Sequence, residues 1–213
     1  MNALDLSDAW LYLVAPARLA AGELAALVPE LADAGVDLLQ LREKEMEDGD
    51  LLREGVPIAE ACRAAGLPFI VNDRPDLTLL LDADGVHVGQ NDVPPEAARS
   101  LVGERIVGLS THAPEQVDAA VAMGEGLDYI AVGPVNETPT KPGRPGTGLG
   151  LVSYAAERID RPWFVTGGMA PDTLGPVLAA GGRRIVVVRA ITESSDPPSA
   201  ARRLKEMLLA AGE

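Results

Sequence analysis

Short apolar runs recur along the chain, and each ends on polar, charged or glycine residues. They are LQLREK (39–44), PFIVNDR (68–74), GVHVGQND (85–92), IVGLSTH (106–112), YIAVGPVNETPTKPGR (129–144), WFVTGG (163–168) and IVVVRA (185–190). Runs this short, rich in β-branched residues, read as strands buried on both faces. With WLYLVAP (10–16) in front, strands are predicted at 10–16, 36–42, 68–72, 85–89, 105–110, 128–135, 162–168 and 183–190. Between them, helical spacing of apolar residues predicts helices at 22–34, 49–65, 77–83, 94–102, 113–124, 148–159, 171–181 and 197–212. Gly35 and Gly66 close the first two, and prolines open several of the others.

Strands that alternate with helices imply a parallel sheet. Eight such units, with no linker or composition break, predict one compact α/β domain over residues 1–213, a (β/α)8 TIM barrel. A doubly wound open sheet is the alternative, but it concentrates its site at one switch point. Here Gln40, Arg42, Lys44, Asn72, Asp73, Asp92, Ser110 and Lys141 stand at the exits of many strands. A barrel gathers all of those exits on one face.

Composition narrows the partners. The chain has 213 residues, enough for a substantial core, and is 47% hydrophobic and 23% charged, as a globular protein is. With only 3% aromatic residues, the core is expected to be aliphatic. A net charge of −14 argues against nucleic acid and against an anionic membrane surface, so neither is expected as a partner. Cys62, the one cysteine, excludes a disulfide within the chain and a cysteine metal site. No basic leader precedes the first apolar stretch, which is too short to span a bilayer, so a soluble cytoplasmic protein is expected. Whether it forms a homo-oligomer is left open.

The lysines are informative because there are so few. Lys205, beside Arg202 and Arg203, reads as a solvated helix face, whereas Lys44 and Lys141 lie just past predicted strands. With Arg42 two residues before Lys44, an acidic chain collects cations on its functional face, which points to a phosphate or diphosphate. Pairing of Arg42 and Lys44 with Glu43, Glu45 and Glu47 on the surface is the plainer alternative. Asp73 and Asp92 leave adjacent strands, and converging carboxylates suit Mg²⁺, a hard cation that takes phosphate oxygens as its other ligands. Asp76, Asp82 and Asp84 read as cap, turn or surface residues, while Asn72 and Ser110 supply neutral hydrogen bonds.

A second anion site is expected past the last strands, where Gly167-Gly168 lets backbone N–H groups approach a ligand closely. The long Pro- and Gly-rich segment after the sixth strand brings Thr138, Thr140, Lys141 and Arg144 and reads as a binding loop or lid. His87 is expected inside the barrel, packed or at the pocket floor. His112 follows Ser110 by two residues, but no G-x-S-x-G elbow supports a hydrolase.

Taken together, QLREK, VNDR, ADGVHVGQND, GLSTH, VGP…TPTK and the Gly-Gly before the last strand resemble the thiamine-phosphate synthase family, over nearly the whole chain. The resemblance implies a transferase of thiamine biosynthesis. It would join 4-amino-2-methyl-5-(diphosphooxymethyl)pyrimidine to a thiazole phosphate, carboxylated or not, releasing diphosphate with Mg²⁺ as cofactor. It implies that Gln40 contacts the pyrimidine and that Arg42, Lys44, Asn72, Ser110 and Lys141 hold the diphosphate. Asp73 and Asp92 would hold Mg²⁺. Thr138, Thr140, Gly168, Val188 and Arg189 would meet the thiazole phosphate, with Tyr12 and His87 walling the pyrimidine pocket. The chain departs from the family pattern in three places: Asn136 and Glu137 replace an aromatic residue and a proline, Arg189 replaces a serine, and TGGM replaces apolar-Gly-Gly-Ile. The sister thiazole tautomerases share the barrel but have no diphosphate to hold, and a non-catalytic phosphometabolite-binding barrel is a further alternative.

Overall fold

The computed structural model describes residues 5–137 and 145–212. Strands β1 (Leu11–Ala15), β4 (Leu38–Leu41), β5 (Phe69–Asn72), β6 (Gly85–Val88), β7 (Ile106–Thr111), β8 (Tyr129–Val132), β9 (Trp163–Val165) and β10 (Ile185–Val187) close into a parallel barrel. Closure is made at β1, where Tyr12 pairs with Leu38 on one side and with Val186 on the other. Helices α1 (Leu24–Asp33), α2 (Asp48–Ala65), α3 (Pro75–Leu80), α4 (Pro95–Val102), α5 (Pro114–Ala122), α6 (Gly148–Ala156), α7 (Leu174–Ala179), α8 (Arg189–Thr192) and α9 (Pro197–Ala210) connect and flank the strands.

Period-2 alternation divides each strand between two apolar layers. Leu11, Leu13 and Ala15 face the core under the helices, while Tyr12 and Val14 join Leu38, Ile70, Ile106, Tyr129, Phe164 and Val186 inside the barrel. The expectation of an aliphatic core holds for the outer layer, Phe69 and Trp163 apart. The chain has only two Phe and three Tyr, yet Phe164, Tyr12 and Tyr129 fill the barrel interior edge to face, with ring centroids 5.3–5.6 Å apart.

Helix ends follow local chemistry. Proline, whose missing N–H costs nothing in a first turn, opens α3, α4, α5 and α9. Gly66, at φ 67°, closes α2 in the left-handed conformation.

Several expectations shift. Arg18–Leu19 and Gly22–Glu23 form a small antiparallel hairpin (β2 and β3), so the first helix begins at Leu24. The last barrel strand is three residues long, and Arg189 opens α8. Lys205 is not on a solvated face. Its ammonium lies 2.5 and 2.6 Å from the two Asp37 oxygens, its side chain is 16% exposed, and its stem packs where Gly35 has no side chain. No helix among the described residues is long and apolar enough to cross a membrane.

Candidate active site

A cleft of ≈ 330 Å³ opens among the C-terminal ends of the barrel strands. Tyr12 of β1, Gln40 of β4, Asn72 of β5, His87 of β6 and Ser110 of β7 line one side, with Arg42 just beyond β4. Gly167, Gly168, Val188 and Arg189 line the other. Residues predicted from seven separate segments of sequence therefore share one cavity. The reason is geometric: parallel strands of similar length present their exits to the same face.

Beside this cleft stand the two aspartates. Asp73 adopts φ 62°, a conformation that glycine accepts more readily, and its N–H donates to the His87 carbonyl at 2.8 Å. Asp92 accepts the Gly89 N–H at 2.8 Å. Burial pushes the Asp73 carboxyl up to about 6, and a hydrogen bond and like charge from Asp92 add to the shift. A hydrogen bond from Asn72 and the charge of Lys44 act in the opposite direction. Burial also lowers the Arg42 guanidinium from its ordinary value, against the attraction of Asp73 and Asp92. Carboxylates and cations thus form one electrostatic unit.

Two carboxylates held this close repel as anions, and a hard divalent cation would relieve that repulsion, so Asp73 and Asp92 fit Mg²⁺. Among the described residues no group of three or more His, Cys, Asp or Glu is placed to hold a metal. The two carboxylates would make a partial shell, as in Mg²⁺ sites that also take phosphate oxygens and water.

The far side is built from backbone. Gly167 and Gly168 have φ of 108° and 71°, and a Cβ on Gly167 would lie 2.5 Å from the Val135 nitrogen. Only glycine fits there. Asn136 takes up a definite task at this point: its Nδ2 donates to the Gly167 carbonyl at 3.1 Å and its side chain lies against Gly168. Arg189 lies 4.0 Å from Glu193 one turn later in the chain, and both line the cleft. Thr138, Thr140, Lys141 and Arg144 lie outside the described residues.

Other candidates resolve into structural roles. Ser110 faces His87 Nε2 at 2.8 Å rather than His112, whose Nδ1 is bonded to the Gly133 carbonyl. Asp76 pairs with Arg74, Asp82 with Arg105 and Arg63, and Asp84 accepts the Phe69 N–H. The Cys62 thiol is buried against the core and pushed up to about 12, so it stays protonated at neutral pH. Sequence reasoning missed Tyr129, which is fully buried and bonded to both Tyr12 and His87. Its signal was Gly108 on the adjacent strand: a Cβ there would lie 2.0 Å from the Tyr129 Cζ. Glu193 was missed as well, because the prolonged last strand predicted for 183–190 hid the short helix that ends at it.

The chain matches the family model described as thiamine monophosphate synthase over residues 11–191. It is 49% identical over 209 residues to the thiamine-phosphate synthase of Acidothermus cellulolyticus, covering 97% of this chain and 98% of that one. To the thiamine-phosphate synthase of Thermus thermophilus it is 54% identical over 175 residues, 82% and 84% of the two chains. Among solved structures it is similar to the thiamine phosphate pyrophosphorylase from Pyrococcus furiosus, with TM-score 0.84, 28% identity and coverage of 95% and 96%. A 3-hexulose-6-phosphate synthase at TM-score 0.63 and 20% identity, covering 92% of this chain and 98% of the other, shares the barrel fold.

Proposed function

The chain belongs to the thiamine monophosphate synthase family, and from that membership we propose that it joins an aminopyrimidine-methyl diphosphate to a thiazole phosphate, giving thiamine phosphate and diphosphate. It is a transferase. The observation that carries the reading is the meeting of Gln40, Arg42, Asn72 and Ser110 in one cleft, beside paired carboxylates and opposite a glycine-lined loop.

Gln40, 2% exposed at the cleft floor, presents amide donor and acceptor atoms to the aminopyrimidine, with Tyr12 and His87 as its walls. Arg42, Lys44, Asn72 and Ser110 hold the diphosphate, joined by Lys141. Gly168, Val188 and Arg189, with Thr138 and Thr140, hold the thiazole phosphate. Asp73 and Asp92 would hold Mg²⁺, which would supply charge neutralisation for the diphosphate.

The reaction breaks the carbon–oxygen bond to diphosphate and forms a bond from the thiazole nitrogen to the same methylene carbon. The nitrogen brings its own lone pair, so no side chain has to remove a proton from it. Catalysis is then positioning and stabilisation of the departing negative charge by Arg42, Lys44 and the neutral donors. This suits a site of cations, hydrogen-bond donors and two carboxylates, in which Ser110 and His87 act as hydrogen-bonding groups and not as nucleophile and base. A tautomerase has no such charge to stabilise, and the reading is not favoured.

Purified full-length protein given both substrates and Mg²⁺ is expected to form thiamine phosphate and diphosphate in equal amounts, and chelation is expected to stop it. Isomerisation of the thiazole with no diphosphate released would overturn the assignment.

A further inference from the structure

A line of hydrogen bonds crosses the barrel interior beneath the cleft. Gln40 Nε2 donates to Tyr12 Oη, and the Tyr12 and Tyr129 hydroxyls are 2.7 Å apart. Tyr129 Oη is 2.9 Å from His87 Nδ1, and His87 Nε2 is 2.8 Å from Ser110 Oγ. Gln40 and Ser110, the two ends of the line, both border the cleft, whereas Tyr129 between them does not.

With the Gln40 amide nitrogen turned to Tyr12, proton counting gives this line one direction. The Gln40 amide nitrogen only donates, so Tyr12 accepts from it and gives its single proton to Tyr129. Tyr129 then gives its own proton to His87 Nδ1. With Nδ1 accepting, the neutral ring carries its proton on Nε2 and donates it to Ser110 Oγ. Ser110 is left with its proton available to an acceptor in the cleft. The opposite polarity needs Gln40 turned so that Oε1 faces Tyr12, and it ends with Ser110 donating to His87 and offering nothing to the cleft.

The fold makes room for this connection. Gly108 lies between His87 and Tyr129 in the strand register, and a side chain there would occupy the Tyr129 ring, with its Cβ 2.5 Å from the hydroxyl. The His87 and Tyr129 rings stack at 5.5 Å and 19° across that gap.

We propose that Tyr129 is a positioning residue: acting through the tautomer of His87, it makes Ser110 a hydrogen-bond donor to the diphosphate oxygen as the carbon–oxygen bond breaks. The proposal rests on the diphosphate reading of the cleft.

The chain has only two histidines, so ¹⁵N-histidine labelling of the full-length protein yields a simple spectrum, with His112 assigned by substitution. His87 is expected as the Nε2–H tautomer in the unsubstituted protein, shifting toward Nδ1–H in Tyr129→Phe. The same variant is expected to lose about tenfold in kcat, the worth of one hydrogen bond, with both KM values nearly unchanged. Combined with Ser110→Ala, it is expected to lower kcat no further than Ser110→Ala alone, because both act along one path. A structural role would give additive losses and leave the tautomer alone. An Nδ1–H tautomer in the unsubstituted protein overturns the proposal, and this measurement needs only the His112 variant, outside the relay, for its assignment. Absence of thiamine phosphate formation would instead overturn the reading of the site, leaving the tautomer shift as an independent test of the relay.

Discussion

Asp73 carries two local costs at once: a left-handed backbone and a half-buried carboxylate placed against a second one. Such strain persists where the surroundings hold it in place, here through the Asp73 N–H on His87 and the Gly89 N–H on Asp92. Asp92→Asn removes one of the two charges while leaving an oxygen for Gly89. The variant is expected to need at least about tenfold more Mg²⁺ for half-maximal activity, and kcat/KM should fall by about a hundredfold. Thermal melts without metal should show it no less stable than the unsubstituted protein, since its neighbour has lost a like charge. An unchanged Mg²⁺ dependence would contradict the metal assignment. Asp73 and Asp92 were legible because each follows an apolar run, so strand position alone predicts where they emerge. Tyr129 was not, because a tyrosine inside such a run looks like packing until Gly108 is seen beneath it.

At the scale of elements, Asp37 ties the chain's beginning to its end. One of its carboxylate oxygens accepts the Trp10 and Leu11 N–H groups at 2.8 Å, where β1 starts, and both oxygens hold Lys205 of α9. Asp37→Ala would leave two backbone donors and a mostly buried ammonium without their partner. It is expected to destabilise the protein by about 2–4 kcal/mol, read from the denaturant midpoint. Arg18→Ala, which removes an ion pair whose side chains are 72% and 49% exposed, is expected to cost well under about 1 kcal/mol. Equal effects of the two would contradict the anchoring role. Sequence periodicity placed α9 correctly but gave Lys205 the wrong environment. Periodicity reports which face of a helix is apolar, whereas the partner of a long cation depends on what lies across the gap.

For the whole molecule, the net charge of −14 works against compactness, and the ion pairs are mostly exposed. Raising NaCl from about 10 to about 200 mM, which shortens the screening length from about 30 to below about 10 Å, is therefore expected to raise the melting temperature. A fall would mean that the ion pairs outweigh the overall repulsion. The alternation of apolar runs with helical patterns determined the barrel and the residues at its rim, because period and strand exit are properties of consecutive positions. Which of those residues meet was decided only by closure. β1 pairing with both β4 and β10 brings residues far apart in sequence within hydrogen-bonding range: Tyr12 and Tyr129 are separated by 117 positions and by 2.7 Å. Closure also left Ser110 facing His87 instead of its sequence neighbour His112, because the registers of adjacent strands, and not spacing along one of them, determine which side chains share the interior.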